Sequence, residues 1–417
     1  MKIVLRCFFF LFLLSLPGMA IALVKAGVGK AEITPIIGTP SAGYVERKGE
    51  GMDGVHDPLL AIALFIDNRD KKIVFCSVDH LGFTYEMVQE ITKQIHGYPG
   101  LKDCDIFIGS SHTHSGGGAY LNIPVIGPSL AGNYNPDITK AYIDKTCSAI
   151  LEAYQNQTPA QIGIGYGEAA PLGLYRGLWP KDITPLNFVT VMKVVHPDGR
   201  PLAVLFNYPL HPTVLKSQNR FFSADFVGYA RNHLQASIGQ DVQPIYFNGA
   251  QGDIIPVIFN EHNRFDACDR LAKSLANTVT SIWETIRTSD KFQISTQKES
   301  YSFKPQPNPF GVTLPLELYK SEMNVIVLNK SHAFITIPGE LSCLYDKSLK
   351  EIGSKLGFTF VSILGLTNDA HGYIILPDSW QHKTFESALS FGGENYGSMI
   401  QKRAESLLNA QAAGREK

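Results

Sequence analysis

Residues 60–118 read LAIALFIDNRDKKIVFCSVDHLGFTYEMVQEITKQIHGYPGLKDCDIFIGSSHTHSGGG. Two apolar runs, Ala61–Asp67 and Lys72–Asp79, flank the turn-like NRDK, and the pattern predicts paired strands. Tyr85–His96 carries Met87, Val88, Ile91 and Ile95 at helical spacing and stops at Gly97. Asp105–Gly109 is then a short buried strand. Strand, helix, strand is the unit of an α/β layer. The stretch ends on His112-Thr-His114 and three glycines, so two imidazoles follow a strand directly.

The rest of the chain continues the alternation. A helix is expected over Asp137–Tyr154, and strands over Gln161–Tyr166, Phe188–Val195 and Leu202–Tyr208. HPDGRP (196–201) joins the last two as an Asp-Gly hairpin turn. Further helices are expected from Asp225 to about Ser237, over Asp266–Thr285, Leu341–Leu356 and Ser398–Ala412. Further strands are expected at Pro244–Phe247, Phe292–Phe303, Met323–Asn329, Ala333–Pro338 and Phe358–Leu364. No internal repeat is visible in the residues. The reading is an α/β fold of mixed β-sheets with packed helices, as one domain over residues 23–417.

Of the 417 residues, 44% are hydrophobic and 18% charged, enough for a full core. A net charge of -1 and the lack of a long basic run give no reason to propose a nucleic-acid partner. The N-terminus has Lys2 and Arg6, an apolar stretch from Cys7 to Leu16, and Ala20-Ile21-Ala22. That reads as a secretory signal peptide over residues 1–22 and a secreted or periplasmic product. The apolar stretch is shorter than the roughly 20 residues a membrane-spanning helix needs. Of the six cysteines, Cys76, Cys104 and Cys147 sit on apolar faces and read as core. An oxidising compartment would allow one disulfide, with no pairing assigned. No CxxC pair exists for a cysteine zinc site.

Chemistry is expected where strands end, because ligands of open α/β sheets gather at carboxyl ends. Five strand ends release polar or glycine-rich loops: the histidine pair, PLHPT (209–213), NGAQGDIIP (248–256), PGE (338–340) and GLTNDAHGY (365–373). Each has a plainer reading. His112 and His114 could be a polar loop, His211 a satisfied loop histidine, and Glu340 a partner for a helix N-terminus. Together the loops offer His112, His114, His211, Asp253, Glu340 and Tyr373. Two histidines and a carboxylate with an open position are a common catalytic zinc set. Nucleophile elbows, P-loops, dinucleotide fingerprints and HEXXH are absent.

Taken in order, GVGKAEITP (27–35), GVHDPLLAIAL (54–64), SVDHLG (77–82), SSHTHSGGG (110–118), LHPT (210–213), NGAQGDIIP, IPGE (337–340) and GLTNDAHGY resemble the N-terminal catalytic domain of the neutral/alkaline non-lysosomal ceramidases. The resemblance implies one zinc ion per chain held by His112, His211, Glu340 and Tyr373. It implies His114 as a substrate-facing proton shuttle and Arg176, in LYRGL, as a contact to the scissile amide. It also implies a lipid or small-molecule substrate and contact with a membrane surface. No oligomeric state follows from it. Two positions depart from the family: a serine and a tyrosine, hydroxyl-bearing there, correspond to Ile255 and Phe385 here. Full-length members continue into a C-terminal β-sandwich that these residues do not include. The expectation is an exported zinc hydrolase of an N-acyl lipid amide. A metal hydrolase of another amide or ester, and a non-catalytic binding protein on the same scaffold, are the alternatives.

Overall fold

A computed structural model describes residues 24–177, 180–258 and 263–415. The signal-peptide reading of residues 1–22 falls outside them. Among the described residues three larger sheets, of five, four and four strands, share a four-strand body built by the same chain order, the fifth strand of the first being the short Thr158–Pro159.

In the first sheet Lys25–Glu32 (β1), Leu60–Asp67 (β2) and Lys72–Val78 (β3) run antiparallel in sequence. The helix Tyr85–His96 (α1) then crosses over to Asp105–Ser110 (β4), which lies parallel to β3, and Pro136–Gln155 (α2) follows. The second sheet repeats this with Gln161–Glu168 (β5), Phe188–Val195 (β6) and Pro201–Tyr208 (β7), then Phe226–Ile238 (α3), Gln243–Asn248 (β8) and Arg264–Thr285 (α4). The third repeats it with Ile294–Phe303 (β9), Tyr319–Leu328 (β10) and His332–Thr336 (β11), then Cys343–Lys355 (α5), Phe360–Leu364 (β12) and Tyr396–Arg415 (α6). The sequence shows no repeat, yet the fold does. What recurs is the order of apolar patterns and turns, which different residues can satisfy.

Each sheet is apolar on both faces, which is why β2 reads as an unbroken hydrophobic run. Its Ala61, Ala63 and Phe65 pack outward with residues of α1 and α2, while Ile62, Leu64 and Ile66 pack inward. The inward faces of all three sheets share one core. Phe75 meets Phe247 and Phe334 edge to face at 5.9 and 6.0 Å, one ring from each sheet. Truncating a ring so fully buried costs about 3–5 kcal/mol. The outer faces pack separately, the second sheet under α3 and α4 and the third under α5 and α6.

Helix starts follow their capping residues. Asn135 accepts from Asp137 N and Ile138 N, with Pro136 at the first helical position. The structure adds one strand and corrects two expectations. Lys25–Glu32, for which the sequence reading offered no element, is a strand although glycine is rare in strands. A Cβ on Gly27 or Gly29 would lie 2.2 or 2.3 Å from carbonyls of α2, so the glycines let that helix lie on the sheet. Glu340 does not open a helix. Glu340–Leu341 pairs in parallel with Tyr373–Ile374, and Ser342 caps α5. The five described cysteines are all buried, and no disulfide joins any two of them.

Candidate metal centre

The third and fourth strands of each sheet run parallel with a helix between them. The loops after Val78, Ser110, Tyr208, Asn248, Thr336 and Leu364 therefore emerge at carboxyl ends. Hydrogen bonds knit these loops together. Ser110 N donates to Leu366 O, Gly365 N to Asn248 O, and Gly252 N to Leu341 O. Asn248 is the hub. Its Nδ2 donates to Ser111 O and Leu210 O at 3.0 and 3.1 Å, and its Oδ1 accepts from Leu210 N and Gly249 N.

Two of the expected histidines are held alike. His112 Nδ1 donates to Leu81 O at 2.7 Å, and His211 Nδ1 donates to Gln251 O and Ile254 O at 2.7 and 3.0 Å. A carbonyl can only accept, so the proton is on Nδ1 in both rings. Both Nε2 atoms approach the same oxygen: Oε2 of Glu340 lies 3.1 Å from His112 and 3.0 Å from His211. Burial, and then the charge of Arg176, hold the His211 imidazole down at about 4, so at neutral pH its Nε2 is a bare lone pair. The buried His211 Nε2 and Glu340 Oε2 have no hydrogen-bond partner among the described residues. Lone pairs facing a carboxylate repel unless a cation sits between them. The donor set therefore fits a metal ion, and these nitrogen and oxygen types suit zinc.

His114 joins the group. The ligand-type nitrogens of His112, His114 and His211 lie within 4.8 Å of one another, and His114 Nε2 is 3.4 Å from His112 Nε2. Burial, with His112 and His211 nearby, keeps its imidazole well below the usual range. His112 takes a φ of 72°, a left-handed conformation uncommon for a side-chain-bearing residue and typical of residues held in place by a site.

Tyr373 sits opposite Glu340 in their short ladder, with its ring stacked on His211 at 6.5 Å between centroids. Its hydroxyl accepts from Arg176 Nη2 at 2.9 Å. Burial, then the Glu340 charge, raise the Tyr373 phenol above its ordinary value. Arg176 is anchored by Glu386 Oε1 at 2.9 Å and Gly252 O at 2.9 Å, and stacks over Phe385 at 4.9 Å. The structure thus brings together all six expected residues: His112, His114, Arg176, His211, Glu340 and Tyr373.

Asp253, offered as a further carboxylate, does not join them. It accepts from Ser342 Oγ and from Cys343 N at the start of α5. The glycines 116–118 are packed against neighbouring parts of the chain. A Cβ on Gly117 or Gly118 would strike Tyr142 Oη at 2.1 Å or Ala131 O at 2.3 Å, so they make room for the protein itself. Asn248 and Glu386 were not singled out from the sequence. Asn248 lay inside a quoted motif, but its role depends on loops far apart in the chain.

A cavity of about 460 Å³ opens beside His112 and Glu340. Leu81, Met87, Ile123, Ile143, Leu316 and Phe391 are among its predominantly apolar lining.

An α/β scaffold of three helix-backed sheets, with a histidine–carboxylate cluster at the base of an apolar cavity, defines a class with known members. The family description "neutral/alkaline non-lysosomal ceramidase, N-terminal" matches residues 24–293, and the chain belongs to that family. The neutral ceramidase of Drosophila pseudoobscura pseudoobscura is 26% identical over 251 residues, covering 55% of this chain and 34% of the relative. Neutral ceramidase A of Dictyostelium discoideum is 24% identical over 222 residues, 49% of this chain and 31% of the relative. The chain thus spans about a third of the length of the curated relatives it matches. The crystal structure of neutral ceramidase from Pseudomonas aeruginosa superposes with a TM-score of 0.83 at 16% identity, covering 94% of this chain and 75% of that one. A ceramidase complexed with C2 gives 0.81 at 15% identity, over 93% and 75% of the two chains. At such identity these likenesses establish the fold.

Proposed function

We propose that the chain is an exported, zinc-dependent amidohydrolase that cleaves an N-acyl lipid, acting as one catalytic unit. The observation that carries this reading is the convergence of unpartnered, buried His211 Nε2 and Glu340 Oε2 beside an apolar cavity of about 460 Å³. His112, His211, Glu340 and Tyr373 would hold the zinc, which when bound supplies carbonyl polarisation and an activated water. The chain's own residues do the rest. The carbonyls of Leu81, Gln251 and Ile254 fix both histidine ligands in one tautomer. His114, neutral and 3.4 Å from His112, takes a proton during attack and returns it to the leaving amine. Arg176 orients Tyr373 and offers positive charge where the carbonyl oxygen becomes negative. The cavity takes a hydrocarbon chain and keeps bulk water from the reacting amide.

A second reading, hydrolysis of a different amide or ester, is favoured by Ile255 and Phe385. Neither carries a hydroxyl to read a polyhydroxylated head group. The test is metal analysis of purified protein with a hydrolysis screen over ceramides, other N-acyl lipids, small amides and esters, with and without chelator. N-acyl lipid turnover that chelation abolishes and zinc restores is the expected result. Turnover confined to esters or short amides would favour the second reading. No turnover, with zinc bound, would return the scaffold to a binding role.

A further inference from the structure

His114 differs from its two neighbours in how it is held. His112 and His211 each donate Nδ1–H to backbone carbonyls, whereas His114 Nδ1 is buried with no hydrogen-bond partner among the described residues. Packing has to orient it instead. The packing comes from the loop 41–47. Gly43, at φ 107°, lies so close that a Cβ there would meet His114 Nδ1 at 2.5 Å. The Tyr44 ring lies 4.8 Å from the His114 ring.

Arg47 ends that loop and is 4% exposed. Its Nη1 donates to the His114 carbonyl and to Ser41 Oγ, both at 2.5 Å. Its Nε donates to Ser217 O and its Nη2 to Lys216 O, both at 3.0 Å. The guanidinium also lies over the Tyr44 ring at 4.9 Å. Burial pushes it down to about 10, which leaves it cationic at neutral pH. None of these hydrogen-bond partners is a carboxylate. A buried cation paired only with loop carbonyls and one hydroxyl is costly to keep, and the return is geometric. Residues 216 and 217 lie in the loop that follows His211, and Asn219 Nδ2 adds a 2.9 Å bond to Ser115 Oγ. Arg47 thus joins three loops around one imidazole.

We infer that Arg47 is a positioning residue for His114: it clamps Gly43 and Tyr44 onto the imidazole and ties the His114 loop to the His211 loop. The inference rests on the proton-transfer role proposed above for its consequence in turnover, and on the hydrogen bonds for its structural content. It predicts a specific failure when Arg47 is replaced. The metal ligands stay, and His114 loses its fixed orientation. A misplacement of about 1 Å costs on the order of 100-fold in rate.

The test uses zinc-loaded protein and the variants Arg47→Lys, Arg47→Ala, His114→Ala and the Arg47→Ala/His114→Ala pair. Histidine-selective nitrogen-15 NMR, assigned with His114→Ala, reads the imidazoles directly. The expected result is a shifted or broadened His114 signal with His112, His211 and zinc content unchanged. Turnover should fall about 10- to 100-fold in Arg47→Ala with KM within about 3-fold, and less in Arg47→Lys. In the His114→Ala background Arg47→Ala should add less than about 2-fold. An unmoved His114 signal, loss of zinc, or a full additional loss in the double variant would overturn the inference. If Arg47→Ala does not fold, Arg47→Lys decides by the same NMR signals. If wild type cleaves no N-acyl substrate, the functional reading falls while the NMR arm still decides for or against Arg47.

Discussion

Glu340 and Tyr373 are register partners in a two-residue parallel ladder, Glu340–Leu341 against Tyr373–Ile374. Register partners project to the same side, so this pairing puts the carboxylate and the phenol at one point although 33 positions separate them. The ladder also explains why Glu340 does not cap the following helix. Its backbone is committed to Gly372 O through Glu340 N, at 2.9 Å, and Ser342 takes the cap.

The convergence predicts that His112→Ala, His211→Ala and Glu340→Ala each lose the metal. Purified wild type should carry close to one zinc per chain and each variant a small fraction of that, by elemental analysis. Hydrolysis should fall below detection while far-ultraviolet circular dichroism stays native. Full turnover in any of the three would show the ligand assignment to be wrong.

Removing the loop hub should act through stability. Asn248→Ala strips four hydrogen bonds from buried backbone of three loops. Leaving several of those groups unsatisfied costs about 2–4 kcal/mol. Urea denaturation should show the loss as a lower midpoint with an unchanged slope. Zinc affinity should fall with it, since Ser111 and Leu210 flank His112 and His211.

Glu386 is buried and is the carboxylate that anchors Arg176. Glu386→Gln keeps a hydrogen-bond acceptor but removes the charge, and Glu386→Ala removes both. Breaking a buried pair from one side costs about 3–5 kcal/mol. Turnover should fall in both variants, more in the alanine, with zinc content retained. Equal turnover in all three proteins would mean that Arg176 needs no anchor.

Ile143 lines the apolar cavity. Ile143→Phe should raise KM about 10-fold for long-chain N-acyl substrates and leave a short-chain analogue nearly unchanged. A uniform rise for both would point to a general packing fault, and the melting temperature would reveal it.

Acid should destabilise the fold through His80. Its ring is fully buried among Phe83, Tyr120 and Tyr142, and burial lowers it to about 3. The unfolded chain takes up that proton below about 6.5 and the folded chain only below about 3, so stability falls as pH drops between the two. Each pH unit in that window removes about 1.4 kcal/mol. Melting temperature measured from pH 7 to 4 should fall less steeply in His80→Leu than in wild type.

Much of this was legible in the residues. The apolar run of β2, the spacing of α1 and the turn 196–201 follow from patterning, because burial and local backbone geometry act over a few neighbours. His112, His211 and Glu340 could be picked out because each directly follows a strand. Tyr373 came only with the family resemblance, since a tyrosine after a strand is usually packing.

Other features were out of reach. The glycines of β1 argue against a strand until α2 lies on them. Asp253 looked like a site carboxylate until Ser342 and Cys343 took its oxygens. Asn248, Glu386 and Arg47 act through partners 38 to 210 positions away. By itself the sequence determined the elements and the chemistry on offer at their ends, because both depend on side-chain type and local spacing. Only the tertiary structure decided which groups share a point in space, because two buried lone pairs and a carboxylate meet through sheet register and loop hydrogen bonds that no local pattern encodes.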